Sequence, residues 1–153
     1  ALLDARGFGA EDFARSHPGG SLGRQLLTRI RDVMRTGKAV PTVLPEASVA
    51  EATREISRGG IGMTVVISPQ REVLGVFTDG DLRRAIVRNL DLQVLTVASV
   101  MSGKPRLIGP EKLTAEAVEM MEKYKINQIP VVDADERLIG ALNMHDLFQA
   151  KAL

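Results

Sequence analysis

The feature that most constrains this chain is that it repeats itself. From Pro45 onward a constant offset of 65 residues superposes one half on the other. Pro45-Glu46 falls on Pro110-Glu111, Ala50-Glu51-Ala52 on Ala115-Glu116-Ala117, Ile61 on Ile126, Val66 on Val131, Gly75 on Gly140, and Asp81-Leu82 on Asp146-Leu147. Upstream, Val33-Met34 sits 67 residues before Val100-Met101, so the first copy carries two extra residues around Gly37 to Thr42. A duplicated supersecondary unit of this size cannot bury its apolar face alone and must stack on its neighbour.

Each copy reads as the same succession of elements. A Val-Met segment leads into a short apolar stretch, Val43-Leu44 or Leu107-Ile108. A helix follows. Ser48-Val49-Ala50-Glu51 has the capping-box pattern, and Val49, Ala52, Thr53 and Ile56 share one helical face. Thr114, Ala117, Val118 and Met121 repeat that spacing, and Gly59-Gly60 stops the first helix. Two β runs joined by a polar turn come next: Thr64 to Ile67 with Val73 to Phe77, and Ile129 to Val132 with Leu138 to Leu142. A last helix is expected to start at Asp81 or Asp146. The fold class is therefore α/β, two β-α-β-β-α repeats related by a pseudo-two-fold and preceded by an N-terminal tail. The expected divisions are 1–29, 30–90 and 91–153.

Composition excludes several chemistries. Among 153 residues there is no Cys, so disulfides, thiolate zinc sites and thiol nucleophiles are ruled out. Two distant histidines argue against a metal cluster, and no cofactor is expected. Twenty basic residues balance nineteen acidic ones, and only four Phe and one Tyr are aromatic, which speaks against a nucleic-acid partner. No apolar run is long enough to span a membrane and no signal peptide is visible, so a cytoplasmic protein is expected. A chain opening on Ala1 is read as a fragment or a processed product. Gly59-Gly60-Ile61-Gly62 and Gly19-Gly20 match neither a Walker loop nor a dinucleotide fingerprint.

Each copy closes on Gly, two hydrophobic residues, a polar residue and an Asp three places later. Gly75-Val76-Phe77-Thr78-Asp79-Gly80-Asp81 and Gly140-Ala141-Leu142-Asn143-Met144-His145-Asp146 are the two instances. In this the chain resembles tandem cystathionine-β-synthase (CBS) domain pairs, or Bateman modules, over residues 30–153. Asn143 stands where that family prefers a hydroxyl. The string Ser16-His17-Pro18-Gly19-Gly20-Ser21-Leu22-Gly23-Arg24 resembles the end of the sugar-isomerase (SIS) domain of bacterial arabinose-5-phosphate isomerases, which carry a CBS pair directly after it.

The resemblance implies a regulatory pair that binds a nucleotide or nucleotide sugar. Asp81 and Asp146 read either as helix N-caps or as carboxylates accepting both hydrogen bonds of a ribose cis-diol. Arg83 and Arg84 read as a solvated helix face or as phosphate ligands. Thr78 is a strand-end Thr or a ligand contact, and Asn143 lacks its hydroxyl, which makes the two sites unequal. Backbone groups around Met63-Thr64 and Gln128-Ile129 would frame a base. His145 is a surface residue or a pH-sensitive contact in the second pocket. His17 would be an acid–base residue of the parent isomerase, inactive in this chain alone. The parent would interconvert ribulose 5-phosphate and arabinose 5-phosphate for 3-deoxy-manno-octulosonate (Kdo) and lipopolysaccharide synthesis. CMP-Kdo is then the expected ligand, with an adenine nucleotide as the alternative. A homo-oligomer is expected, and a purely structural oligomerisation module is the competing function.

Overall fold

The structure, a computed structural model, describes residues 27–150. His17 and nearly all of the expected 1–29 tail lie outside the described residues. The first copy contains a helical turn α1 (Ile30–Val33), strand β1 (Thr42–Val43), helix α2 (Val49–Gly59), strands β2 (Met63–Ile67) and β3 (Val73–Thr78), and helix α3 (Asp79–Val87). The second contains β4 (Ser102–Gly103), α4 (Thr114–Tyr124), β5 (Gln128–Val132), β6 (Leu138–Asn143) and α5 (Met144–Gln149). The α2 boundaries follow from local chemistry. Ser48 accepts the Glu51 N–H at 3.1 Å, and Gly60 takes the left-handed conformation at φ 70° that ends the helix. Between these stops Val49, Ala52 and Ile56 are buried, as their spacing predicts.

The last helix of each copy starts earlier than expected. It begins at Asp79 and Met144, not at Asp81 and Asp146, with Thr78 and Asn143 as N-caps. A hydroxyl or carboxamide oxygen does the capping, and the aspartate closes the box from the third helical position.

The strand pairing joins the copies. β1 runs parallel to β2, which pairs antiparallel with β3. The fourth strand of this sheet is β4, which belongs in sequence to the second copy and pairs with β3 through Gly75–Gly103 and Val76–Ser102. The exchange is reciprocal: Arg35, from the first copy, bridges Ala141 on β6. In the second copy the parallel strand is reduced to one bridge, Ile108 to Val131. The lead-in side chains follow the same exchange. Ile30 is buried among Ala117, Met121, Ile129 and Leu142, while Val97 is buried among Val49, Ala52, Val66 and Phe77. Burying Ile30 fully contributes about 1.5–3 kcal/mol to the copy it does not belong to in sequence. A third cluster lies between the copies, where Met63, Val65 and Val76 meet Leu138 and Ala141.

The glycine of each closing motif now has a reason. A Cβ on Gly75 would lie 2.7 Å from both Met101 Sδ and the Ser102 carbonyl oxygen. A Cβ on Gly140 would lie 2.6 Å from Met34 Sδ and 2.8 Å from the Arg35 carbonyl oxygen. Each glycine lets the other copy's Val-Met segment close down on its sheet. None of the helices among the described residues is long and apolar enough to cross a membrane.

Candidate functional site

The strand-to-helix turn of each copy holds its aspartate in place by its own backbone. In the first copy, Asp81 Oδ2 accepts the Thr78 N–H at 3.0 Å and the Thr78 hydroxyl at 3.1 Å, and the Asp81 N–H donates back to Thr78 Oγ1 at 3.2 Å. In the second, Asp146 Oδ2 accepts the Asn143 N–H at 3.1 Å and Asn143 Oδ1 accepts the Asp146 N–H at 2.8 Å. Asn143 thus caps as Thr78 does, but has no hydroxyl to offer the carboxylate. Both readings made of these aspartates from sequence bear on the same group. Oδ2 takes the helix-cap bonds in both copies, and Oδ1 takes none of them.

What meets Oδ1 differs between the copies. Asp81 Oδ1 accepts the Ser102 hydroxyl at 2.9 Å and pairs with Arg84. The Asp81 side chain is only 4% exposed, whereas that of Arg84 is 65% exposed and lies on the surface of α3. Asp146 is instead gripped by Arg35, whose Nε lies 3.0 Å from Oδ2 and whose Nη2 lies 2.9 Å from Oδ1. Arg35 is part-buried and further anchored. Its Nη1 donates to the Gly59 carbonyl at 2.7 Å, and its backbone N–H and carbonyl both bond Ala141. Arg35 and Ser102 each follow a Val-Met pair directly, so they occupy equivalent positions.

A cleft of about 740 Å³ opens beside the first aspartate, between the two copies. It gathers four of the expected residues: Met63, Thr78 and Arg83 from the first copy and Gln128 from the second. Asp81 itself faces an adjoining recess of about 380 Å³ that shares Arg83 and Arg84 with the cleft. Thr64 is not brought to the cleft. It is fully buried opposite Phe77, its hydroxyl has no hydrogen-bond partner, and strand alternation turns it away from Met63. His145 is exposed, with Gln149 Nε2 at 3.3 Å from its Nε2.

Sequence reasoning missed the charge of the first cleft. Lys104, Arg106 and Lys125 join Arg83 and Arg84 on its walls, against the single carboxylate of Asp79. Arg106 stacks on Tyr124 with its guanidinium 3.7 Å from the ring centre. The two lysines stand in left-handed backbone, Lys104 at φ 52° and Lys125 at φ 55°, where the equivalent positions of the other copy are Gly37 and Gly60. The left-handed region costs a residue with a Cβ about 1 kcal/mol. Glycine relieves that cost in one copy, and lysine bears it in the other. The alignment of Lys104 with Gly37 and of Lys125 with Gly60 is the signal the sequence carries, and it does not show that the two lysines share a cleft. The pair Glu55–Arg58 lies elsewhere, around a cavity with Lys38 and Arg71. The Arg58 hydrogen bond holds the Glu55 carboxyl below its usual value.

Comparison with known proteins agrees with this architecture. The family model described as CBS domain matches residues 30–88 and again 97–153. Arabinose 5-phosphate isomerase KdsD of Pseudomonas aeruginosa is 52% identical over 98% of this chain, covering 46% of that relative. KdsD of Escherichia coli K12 is 46% identical over 98% of this chain, covering 45% of its own length. The chain therefore spans about half the length of the curated relatives it matches. Among solved structures, the CBS domain pair of protein MJ0100, in complex with 5′-methylthioadenosine and S-adenosyl-L-methionine, superposes with a TM-score of 0.73 at 20% identity, over 80% of this chain and 94% of that one. CBSX2 in complex with AMP gives 0.70 at 23%, over 81% and 96%.

Proposed function

The chain belongs to the CBS domain family, as a tandem pair, and from that premise we propose that it is a regulatory module binding a nucleotide-type ligand in the cleft between its copies. The observation that carries this reading is the convergence of Arg83, Arg84, Lys104, Arg106 and Lys125 on the cleft beside Thr78 and Asp81. Such a set matches a phosphate-bearing ligand. The N-terminal end of α3, with Asp79 and Gly80 in the cleft wall, adds the favourable field of its helix dipole for the same anion. Arg84 is exposed and free to swing from Asp81 to a phosphate, which would release Oδ1 for a ribose hydroxyl. The nucleosides and nucleotides named with the MJ0100 and CBSX2 pairs support this ligand class.

The likeness to KdsD supports placing the pair in an arabinose-5-phosphate isomerase, a cytoplasmic enzyme supplying Kdo for lipopolysaccharide. The ligand would then be CMP-Kdo, an activated end product whose carboxylate and phosphate both suit a cationic cleft. An adenine nucleotide is the alternative. His17 would serve the acid–base step of the whole enzyme, and the isolated chain should show no turnover. Calorimetric titration with CMP-Kdo, CMP, AMP and ATP tests the reading. Binding by at least one of them is expected, weakened about tenfold by Lys104→Glu and by raised salt. No binding by any of the four, in a chain that unfolds cooperatively, sinks it.

A second reading, a module that holds a homo-oligomer together, is favoured by the exposed Ile86 and Val87 on α3 and Phe148 on α5, with Val87 74% and Phe148 66% exposed. Sedimentation of the wild type against Val87→Glu decides it: a fall in mass supports the module, and a monomer in both removes it.

A further inference from the structure

The two strand-to-helix turns follow one plan, yet the structure gives their equivalent carboxylates different partners. The geometry points to Arg35 as an internal ligand of the second copy, closing the place where a ribose would meet Asp146. This rests on the nucleotide reading above. Three observations support it. Arg35 takes both carboxylate oxygens of Asp146, so the one oxygen that the helix cap leaves over is already used. Its third contact reaches across to the Gly59 carbonyl, on the C-terminal end of α2, so the guanidinium ties the second aspartate to the first copy. Its backbone is fixed on both sides by Ala141, so the side chain cannot leave by a shift of the chain.

The equivalent position in the first copy carries only Ser102, whose short side chain leaves the cleft open. The exchange of hydrogen bonds also favours closure in one copy only. A diol offers neutral donors, whereas the guanidinium offers charge-assisted, forked ones of roughly twice the strength. Nor would a phosphate compensate in the second copy. The positions of Arg83, Arg84 and Lys125 are held there by Phe148, Gln149 and Gly60. The pair is therefore expected to take one ligand per chain, in the first cleft.

The test is a reciprocal exchange, read by calorimetric titration of the full chain with CMP-Kdo, CMP, AMP and ATP. Wild type is expected to bind one equivalent, Arg35→Ser two, and Ser102→Arg none. Arg35→Lys, which keeps the charge without the fork, serves if Arg35→Ser does not fold. It should admit the second equivalent at affinity at least tenfold weaker than the first. One equivalent in both wild type and the Arg35 variants overturns the inference, as do two in wild type. If wild type binds nothing and Arg35→Ser gains one equivalent, Arg35 is the occupant and the reading of the first cleft falls instead. If no protein binds any of the four, both fall, since a site that stays empty once Arg35 is removed is not one that Arg35 closes.

Discussion

The two strand-to-helix turns share a backbone plan and differ in how their aspartates are neutralised. Asp81 has a short hydroxyl and an arginine that is mostly in water; Asp146 has an arginine that is itself part-buried and held at three points. The difference teaches that duplicated sites diverge through residues outside the motif that defines them. Thr78-Asp81 and Asn143-Asp146 do the same capping work, while Arg35 and Ser102, from segments donated by the other copy, decide what each carboxylate is free to do.

The comparison breaks most sharply at the carboxylates. Asp146→Ala strands the part-buried Arg35 and opens the helix cap, so a loss of about 2–3 kcal/mol is expected. Asp81→Ala should cost less, about 1–2 kcal/mol, because Arg84 retracts into water. Equal losses in denaturant unfolding would contradict the asymmetry. The two glycines should behave alike. Gly75→Ala and Gly140→Ala each force a Cβ onto a methionine and a carbonyl, and each should cost about 2 kcal/mol by the same measurement.

Thr64 sharpens the comparison in the opposite direction. Its equivalent in the second copy is the buried Ile129, and Thr64 keeps a buried hydroxyl with no partner. Thr64→Val should stabilise the protein by about 1 kcal/mol, seen as a higher denaturation midpoint with an unchanged slope. The smallest effect expected is at Glu55, which has no carboxylate counterpart in the second copy, Met120 standing at the equivalent place. Its lowered pKa means that its ion pair adds stability above the unfolded-state value and loses it as pH falls toward the folded one. Glu55→Gln should be slightly less stable than wild type at pH 7, and the two should converge in melts as the pH is lowered through the depressed Glu55 pKa.

Most of the fold was legible because its signals are local or periodic. The offset of 65, the Ser48 cap, the Gly60 stop and the two hairpins each rest on a few neighbouring residues. Met63, Thr78, Arg83 and Gln128 were named separately as ligand contacts, and all four line the first cleft. What was not legible depends on pairing across the copies. Nothing in the neighbourhood of Arg35 shows that it will reach Asp146, and nothing near Lys104 or Lys125 shows that they share a wall. The start of α3 was misjudged because an Asp can cap as the first residue or close the box as the fourth, and Thr78 competes for the first role.

The reciprocal lead-ins also set an order of assembly. The contact between Ser102 and Asp81 closes a span of 21 residues, and that between Arg35 and Asp146 a span of 111. The longer closure costs about 1.5 kcal/mol more in chain entropy. The segment around Met34 is synthesised before either sheet, and it must wait for β6, the last of the described strands, before it has anywhere to go. Met34→Ala should therefore speed unfolding and leave the refolding rate nearly unchanged, and a marked slowing of refolding would reverse that order.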